Sequence, residues 1–174
     1  MRKKYLFILL AVITNIAISL DLLAAEIEGA FGYRFGDTVL MSNIIDGYQS
    51  AFPDLLESYH VKPLIHNQDL DTYSVTVCKQ FRIITNIAGF KLFNSQEEAM
   101  TFLEKYKQFL ENKYGTFNRP IMNDQANGFY KETLIKNAAS VSVMVVNKFT
   151  NPPQWAFMIM YDNIPLTRRC GVQY

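Results

Sequence analysis

The chain has 174 residues, 49% hydrophobic and 19% charged, with 17 basic and 16 acidic side chains and a formal net charge of +1. Because its Lys and Arg are scattered, so balanced a chain offers no electrostatic footprint for nucleic acid or an anionic membrane surface. The length is one domain's worth, with no repeat, low-complexity tract or linker to divide it.

The N-terminus reads as an export signal. Arg2, Lys3 and Lys4 form a positive start, residues 5–20 are almost uninterruptedly apolar, and Ala24-Ala25 are small residues for a peptidase to cut after. The alternative is an uncleaved anchor, although the apolar run is shorter than the roughly 20 residues needed to span a bilayer. Cleavage defines a signal peptide over residues 1–25 and one domain over 26–174. Removing Arg2, Lys3, Lys4 and Asp21 with the signal leaves 14 basic against 15 acidic residues. No later apolar run is comparable, so no stable membrane insertion is expected after cleavage, and the protein belongs in the periplasm or outside the cell.

Phe31, Tyr33 and Phe35 alternate with Gly32, Arg34 and Gly36, the period-two pattern of a strand. Gly29, Gly32 and Gly36 invite comparison with phosphate-cradling loops, but no Gly-Lys-Ser/Thr follows and no G-x-G-x-x-G exists. In residues 39–58, Leu40, Met41, Ile44, Ile45, Tyr48 and Phe52 fit a helical stripe, interrupted by Gly47 and ended by Pro53. A short helix is expected there, stopping before Phe52 because proline restricts the residue preceding it.

Residues 72–77 and 81–87 read as two strands rich in β-branched and aromatic side chains. The clearest element is a helix over Gln96–Tyr114. Ser95 and Glu98 make a capping box, Gly115 provides the left-handed stop, and Ala99, Phe102, Leu103, Tyr106, Phe109, Leu110 and Tyr114 form one apolar face. Three more strands follow at 128–135, 139–148 and 155–161, with turns at Asn137 and around 151–153. The last of them is apolar at every position and should lie centrally, with both faces covered or one face under the helix. The fold class is therefore α+β: an antiparallel sheet of about five to six strands with one long amphipathic helix on one face.

Cys78 and Cys170 are an even count in an exported chain, which favours a disulfide over two unpaired buried thiols. The segment from His60 to Asp71 holds both histidines with Asp69 and Asp71, and His60, His66, Asp69 and Asp71 are the candidate metal ligands. Their spacing matches no metal motif, and on a strand His60 and His66 would stand roughly 20 Å apart, so a chain turn at Pro63 would be needed to join them. The competing reading is a polar surface loop. Ser140 and Ser142 lie among valines with no G-x-S-x-G turn, and the helix carboxylates alternate with lysines as on a solvated face. Arg168 and Arg169 read as exposed tail residues. No motif requires a cofactor, and no catalytic residue is nominated.

Phe31-Gly32-Tyr33-Arg34-Phe35-Gly36, Tyr59-His60-Val61-Lys62-Pro63, Tyr73-Ser74-Val75, Lys113-Tyr114-Gly115 and Tyr161-Asp162 together make the chain resemble a group of small exported bacterial proteins of uncharacterised function. The resemblance implies export and a similar fold, and brings no activity or site residues. The expected function is a non-enzymatic module that binds a protein or small ligand through its sheet face or loops. The alternatives are a metal-dependent enzyme or metal carrier centred on His60 and His66, and a structural accessory of the cell envelope.

Overall fold

A computed structural model of the chain describes residues 25–124, 128–148, 150 and 152–173. The export signal expected over residues 1–25 lies, but for Ala25, outside the described residues. Two antiparallel sheets are described: a two-stranded one, β1 (Gly29–Ala30) with β2 (Tyr33–Arg34), and an eight-stranded one. The large sheet comprises β3 (Ile44–Tyr48), β4 (Leu56–Val61), β5 (Thr72–Cys78), β6 (Ile83–Phe93), β7 (Met122–Asp124), β8 (Phe129–Lys136), β9 (Ala139–Asn147) and β10 (Trp155–Asn163). Its order is β3-β4-β5-β6-β10-β9-β8-β7, so the last strand is inserted centrally beside β6. The helices are α1 (Gln96–Tyr114) and α2 (Ile164–Arg169).

The sheet thus has more strands than the five or six expected, and three local readings need correction. The strand expected over residues 81–87 is Ile83–Phe93, six residues longer at its end and preceded by a turn in which Arg82 has φ 60°. Phe31 to Phe35 is not one strand but the centre of a hairpin. Phe31 and Gly32 both have positive φ, 54° and 86°, the conformation of a two-residue turn whose twist suits the flanking strands. Glycine is required at the second position, since a Cβ there would stand 2.5 Å from the Cβ of Leu64. The helix expected within residues 39–58 is a single turn, Met41–Asn43, followed by the edge strand β3 and the start of β4. Of the apolar residues that mimicked a helical stripe, Ile44 packs against the core and the others remain exposed, Met41 at 76% and Ile45 at 60%, so no continuous buried face exists to favour a helix.

The long helix follows its sequence signals closely. The Ser95 hydroxyl accepts from the Glu98 amide at 3.2 Å, and Gly115 closes the C-terminus with φ 102°. Ala99, Leu103, Tyr106, Leu110 and Tyr114 are buried against β6, β9 and β10. Strand alternation presents Val141, Val143, Val145, Phe157, Ile159 and Tyr161 on this face. Phe157 is fully buried and meets Phe102 and Tyr106 with ring centroids 4.9 and 5.1 Å away. The β1–β2 hairpin covers more of the same face: Phe31 lies edge-on to Tyr73 at 4.9 Å, over Gly89, where a Cβ would stand 3.0 Å from the Phe31 ring.

One ion pair is buried in this layer. Glu132 of β8, 5% exposed at its side chain, is held by the Lys107 ammonium at 2.9 Å and accepts the Tyr130 hydroxyl. The bond to Glu132 raises the Lys107 pKa, because the carboxylate stabilises the ammonium.

Candidate functional site

The other face of the same strands is built differently. The registers stack its outward residues into rows across five or six strands. One row runs Lys131, Met144, Met158, Phe90 and Thr72; the next runs Thr133, Ser142, Met160, Ala88, Ser74 and His60; the third runs Ile135, Ser140, Asp162, Asn86, Thr76 and Ser58. Apolar and small side chains dominate the first row, and hydroxyl and amide groups the third. A β-bulge opposite Thr76 and Val77 adds one residue to β6, and both Thr85 and Asn86 line this side.

Small residues at the centre leave room. A cleft of about 700 Å3 lies over these rows, walled by residues 48–52 of the β3–β4 connection, by α2 and by Val172. Its hydroxyls are partly paired with one another: Ser58 Oγ stands 3.1 Å from Thr76 Oγ1, and Thr133 Oγ1 stands 2.9 Å from Ser142 Oγ. Thr85 donates to the Thr76 carbonyl at 3.2 Å. Met158 and Met160 remain half-buried, a soft apolar strip in an otherwise polar centre. The placement expected for the last strand is therefore met on one side, under the helix, while its other side forms the cleft floor.

The wall owes its position to the disulfide. Cys78 at the end of β5 and Cys170 after α2 are bonded, with Cα atoms 5.8 Å apart at a sequence separation of 92. They pack with Leu56 and Val172 in a small cluster separate from the main core. Asn163 caps α2 by accepting from the Leu166 amide at 3.1 Å, with Pro165 in the first turn. Arg168 and Arg169 accordingly belong to a short helix rather than to a tail, and Arg169 lies over the Phe81 ring at 4.6 Å.

Charge in the cleft is one-sided. Arg119, Lys131 and Arg168 line it, and Asp162 is the one carboxylate among the lining residues. Asp162 is 8% exposed and accepts from Thr167 Oγ1 at 2.8 Å. The three cations belong to no ion pair among the described residues. Arg119 stands beside β8, its backbone amide bonded to the Thr133 carbonyl at 3.1 Å.

The four candidate metal ligands are spread over different surroundings. His60 faces the cleft, with Nδ1 2.6 Å from the Asp46 carboxylate on β3 and its ring stacked on Tyr48 at 4.6 Å. His66 lies across the sheet beside Tyr73, Nδ1 to Oη 3.4 Å. Asp69 pairs with Lys105 at 2.8 Å, and an Asp71 carboxylate oxygen accepts from the Leu92 amide at 3.4 Å. Among the described residues no group of three or more His, Cys, Asp or Glu is placed to hold a metal ion. The chain bends at Leu64 and Ile65, after Pro63, but His66 then lies on the helix side, next to Asn67, whose side chain donates to the Tyr106 hydroxyl at 2.8 Å. Burial, with the charge of Asp69 second, pushes the Tyr106 phenol up to about 12.

The cleft residues carry a signal in the sequence itself. Ser74 and Thr76, and Ser140 and Ser142, occupy alternate strand positions between valines, and alternation of this kind marks a second face with its own chemistry. Comparison with protein-family models, curated proteins and solved structures returns no match.

Proposed function

We propose that this protein is an exported, non-enzymatic binding module that holds a small ligand in the cleft on the helix-free face of its sheet. The observation that carries this reading is the cleft itself: about 700 Å3, within the usual range of small-molecule sites, with an apolar strip of Met158, Met160, Ala88 and Phe90 bordered by convergent hydroxyl and amide groups. Its walls are pinned by a disulfide, a bond that persists in oxidising compartments, which supports export together with the basic and apolar N-terminus. Among the described residues no helix is long and apolar enough to cross a membrane.

Two measurements test the reading. Native mass spectrometry of protein recovered from periplasm and medium is expected to show a chain beginning at Glu26, two hydrogens lighter before reduction, with ligand bound. The same protein carrying Ala88→Leu, which fills the cleft floor, should lose that ligand while keeping its fold. A full-length membrane-bound chain ends the export part. A hydrolase or transferase activity abolished by a single change at a cleft residue overturns the non-enzymatic part.

A further inference from the structure

Resting on the binding reading, the geometry points to a ligand class: we propose that the cleft takes a single-chain amphiphile with an anionic head group. The head sits by Arg119 and Lys131 at the β8 end of the cleft, and the chain crosses the strands over Met158, Met160 and Ala88.

Three observations converge on this. The first is charge. The chain as a whole is nearly neutral, yet Arg119, Lys131 and Arg168 line one cleft against the single carboxylate of Asp162, which already accepts from Thr167. Arg119 and Lys131 stand at the same stretch of β8: Arg119 is tied to the Thr133 carbonyl, and Lys131 lies two residues before Thr133. A guanidinium and an ammonium lining one part of the cleft suit a carboxylate or phosphate monoester, the first bidentate and the second as a point charge.

The second is the floor. Inward from Lys131 the register leads through Met144 to Met158 and Phe90, beside Met160 and Ala88 in the neighbouring row. Three strand spacings from β8 to β6 cover about 14 Å, a length suited to an extended alkyl chain rather than a compact ring. Methionine thioethers adapt to chains of differing length, which favours a flexible tail over a rigid one.

The third is the far wall. Phe52, Leu56 and Val172 line the cleft on the side away from β8, around β4 and the disulfide, so apolar groups continue beyond β6 along the line of the tail. A sugar or a peptide would leave these groups and the methionine strip unmatched, while an uncharged lipid would leave Arg119 and Lys131 without a counter-charge.

Calorimetric titration of the mature, disulfide-bonded protein with dodecanoate, dodecyl phosphate and the neutral dodecyl maltoside tests the proposal, each below its micellar concentration. Binding of either or both anions, with the neutral amphiphile weaker, is expected; which anion binds better distinguishes a carboxylate from a phosphate head. Arg119→Glu and Lys131→Glu should each weaken anion binding about tenfold and reduce its salt dependence. Circular dichroism of each variant checks that it folds. Equal binding of the neutral amphiphile, no binding of the anions, or binding indifferent to both charge reversals overturns the proposal but leaves the small-ligand reading standing. Anion binding that persists in Ala88→Leu removes the cleft as the site, and with it both.

Discussion

The two faces of the large sheet are made by alternate residues of the same strands, and they differ in almost every physical respect. Toward α1, β9 presents Val141, Val143 and Val145, each essentially inaccessible; away from it, the same strand presents Ser140 and Ser142. In β10 the contrast is Phe157 and Ile159 against Met158 and Met160. One face is filled by large rings and branched chains and is closed by a helix and a hairpin. The other is kept open by small side chains and roofed only at its rim. The first holds the free energy of folding, and the second is where a ligand can be accommodated without competing with the core. A substitution is therefore expected to report stability or binding according to the parity of its position in the strand.

The sharpest break in that division is the disulfide, which lies on the cleft side yet should dominate stability. Closing a 92-residue separation is worth about 4 to 5 kcal/mol in the chain-entropy model, so Cys78→Ser with Cys170→Ser should lower the unfolding free energy by that order in urea. Because the bond pins α2 and Val172, the same variant should also loosen the cleft, giving faster amide exchange in α2 (Ile164–Arg169) than in α1. Equal exchange in the two helices would show that α2 is held by packing alone.

On the helix face, Phe157→Ala should cost about 3 to 5 kcal/mol, the loss of a fully buried ring and the void it leaves. Glu132→Ala should cost about 3 kcal/mol, because Lys107 is then left partly buried without its partner. Denaturant midpoints check both, and neither should alter the ligand preference of the cleft. Alkali should act on this face as well. Burial raises the Tyr106 pKa from 10.0 to about 12, and Tyr130 and Tyr161 shift in the same direction. The folded state therefore keeps protons that the unfolded chain gives up. This contribution is complete below pH 10 and falls away between pH 10 and about 12, as tyrosinate absorbance and circular dichroism recorded together would show. An unfolding curve flat across that window contradicts it.

The smallest effects on stability belong to the cleft. Ser142→Ala removes a hydroxyl paired with Thr133 and should change stability by about 1 kcal/mol or less. Should it instead match Phe157→Ala, the open face would be part of the folding core and the division between faces would fail.

Much of the architecture was legible locally. The bounds of α1 follow from Ser95, Glu98 and Gly115 because capping groups act on backbone amides and carbonyls within one turn, with no help from the rest of the chain. β5, β8, β9 and β10 are readable within a residue or two for a similar reason, since alternation and turn residues are local. Residues 39–58 misled because a strand edge with exposed apolar side chains and an amphipathic helix share a composition, and burial alone distinguishes them. The histidines misled because proximity in sequence does not say which side of a sheet a loop will cross.

Local signals in the chain specify the long helix, the main strands after it and the helix-facing core, together with two cysteines suited to a bridge. Capping, strand period and turn chemistry are encoded within a few residues. Only the tertiary structure decided that β10 inserts beside β6 and that Cys78 meets Cys170. The same packing gathers Arg119, Lys131 and Arg168, far apart or merely scattered along the chain, around one cleft. The physical reason is register: pairing between strands distant in sequence assigns each side chain its neighbours, and a face with a chemistry of its own exists only once eight strands are in order.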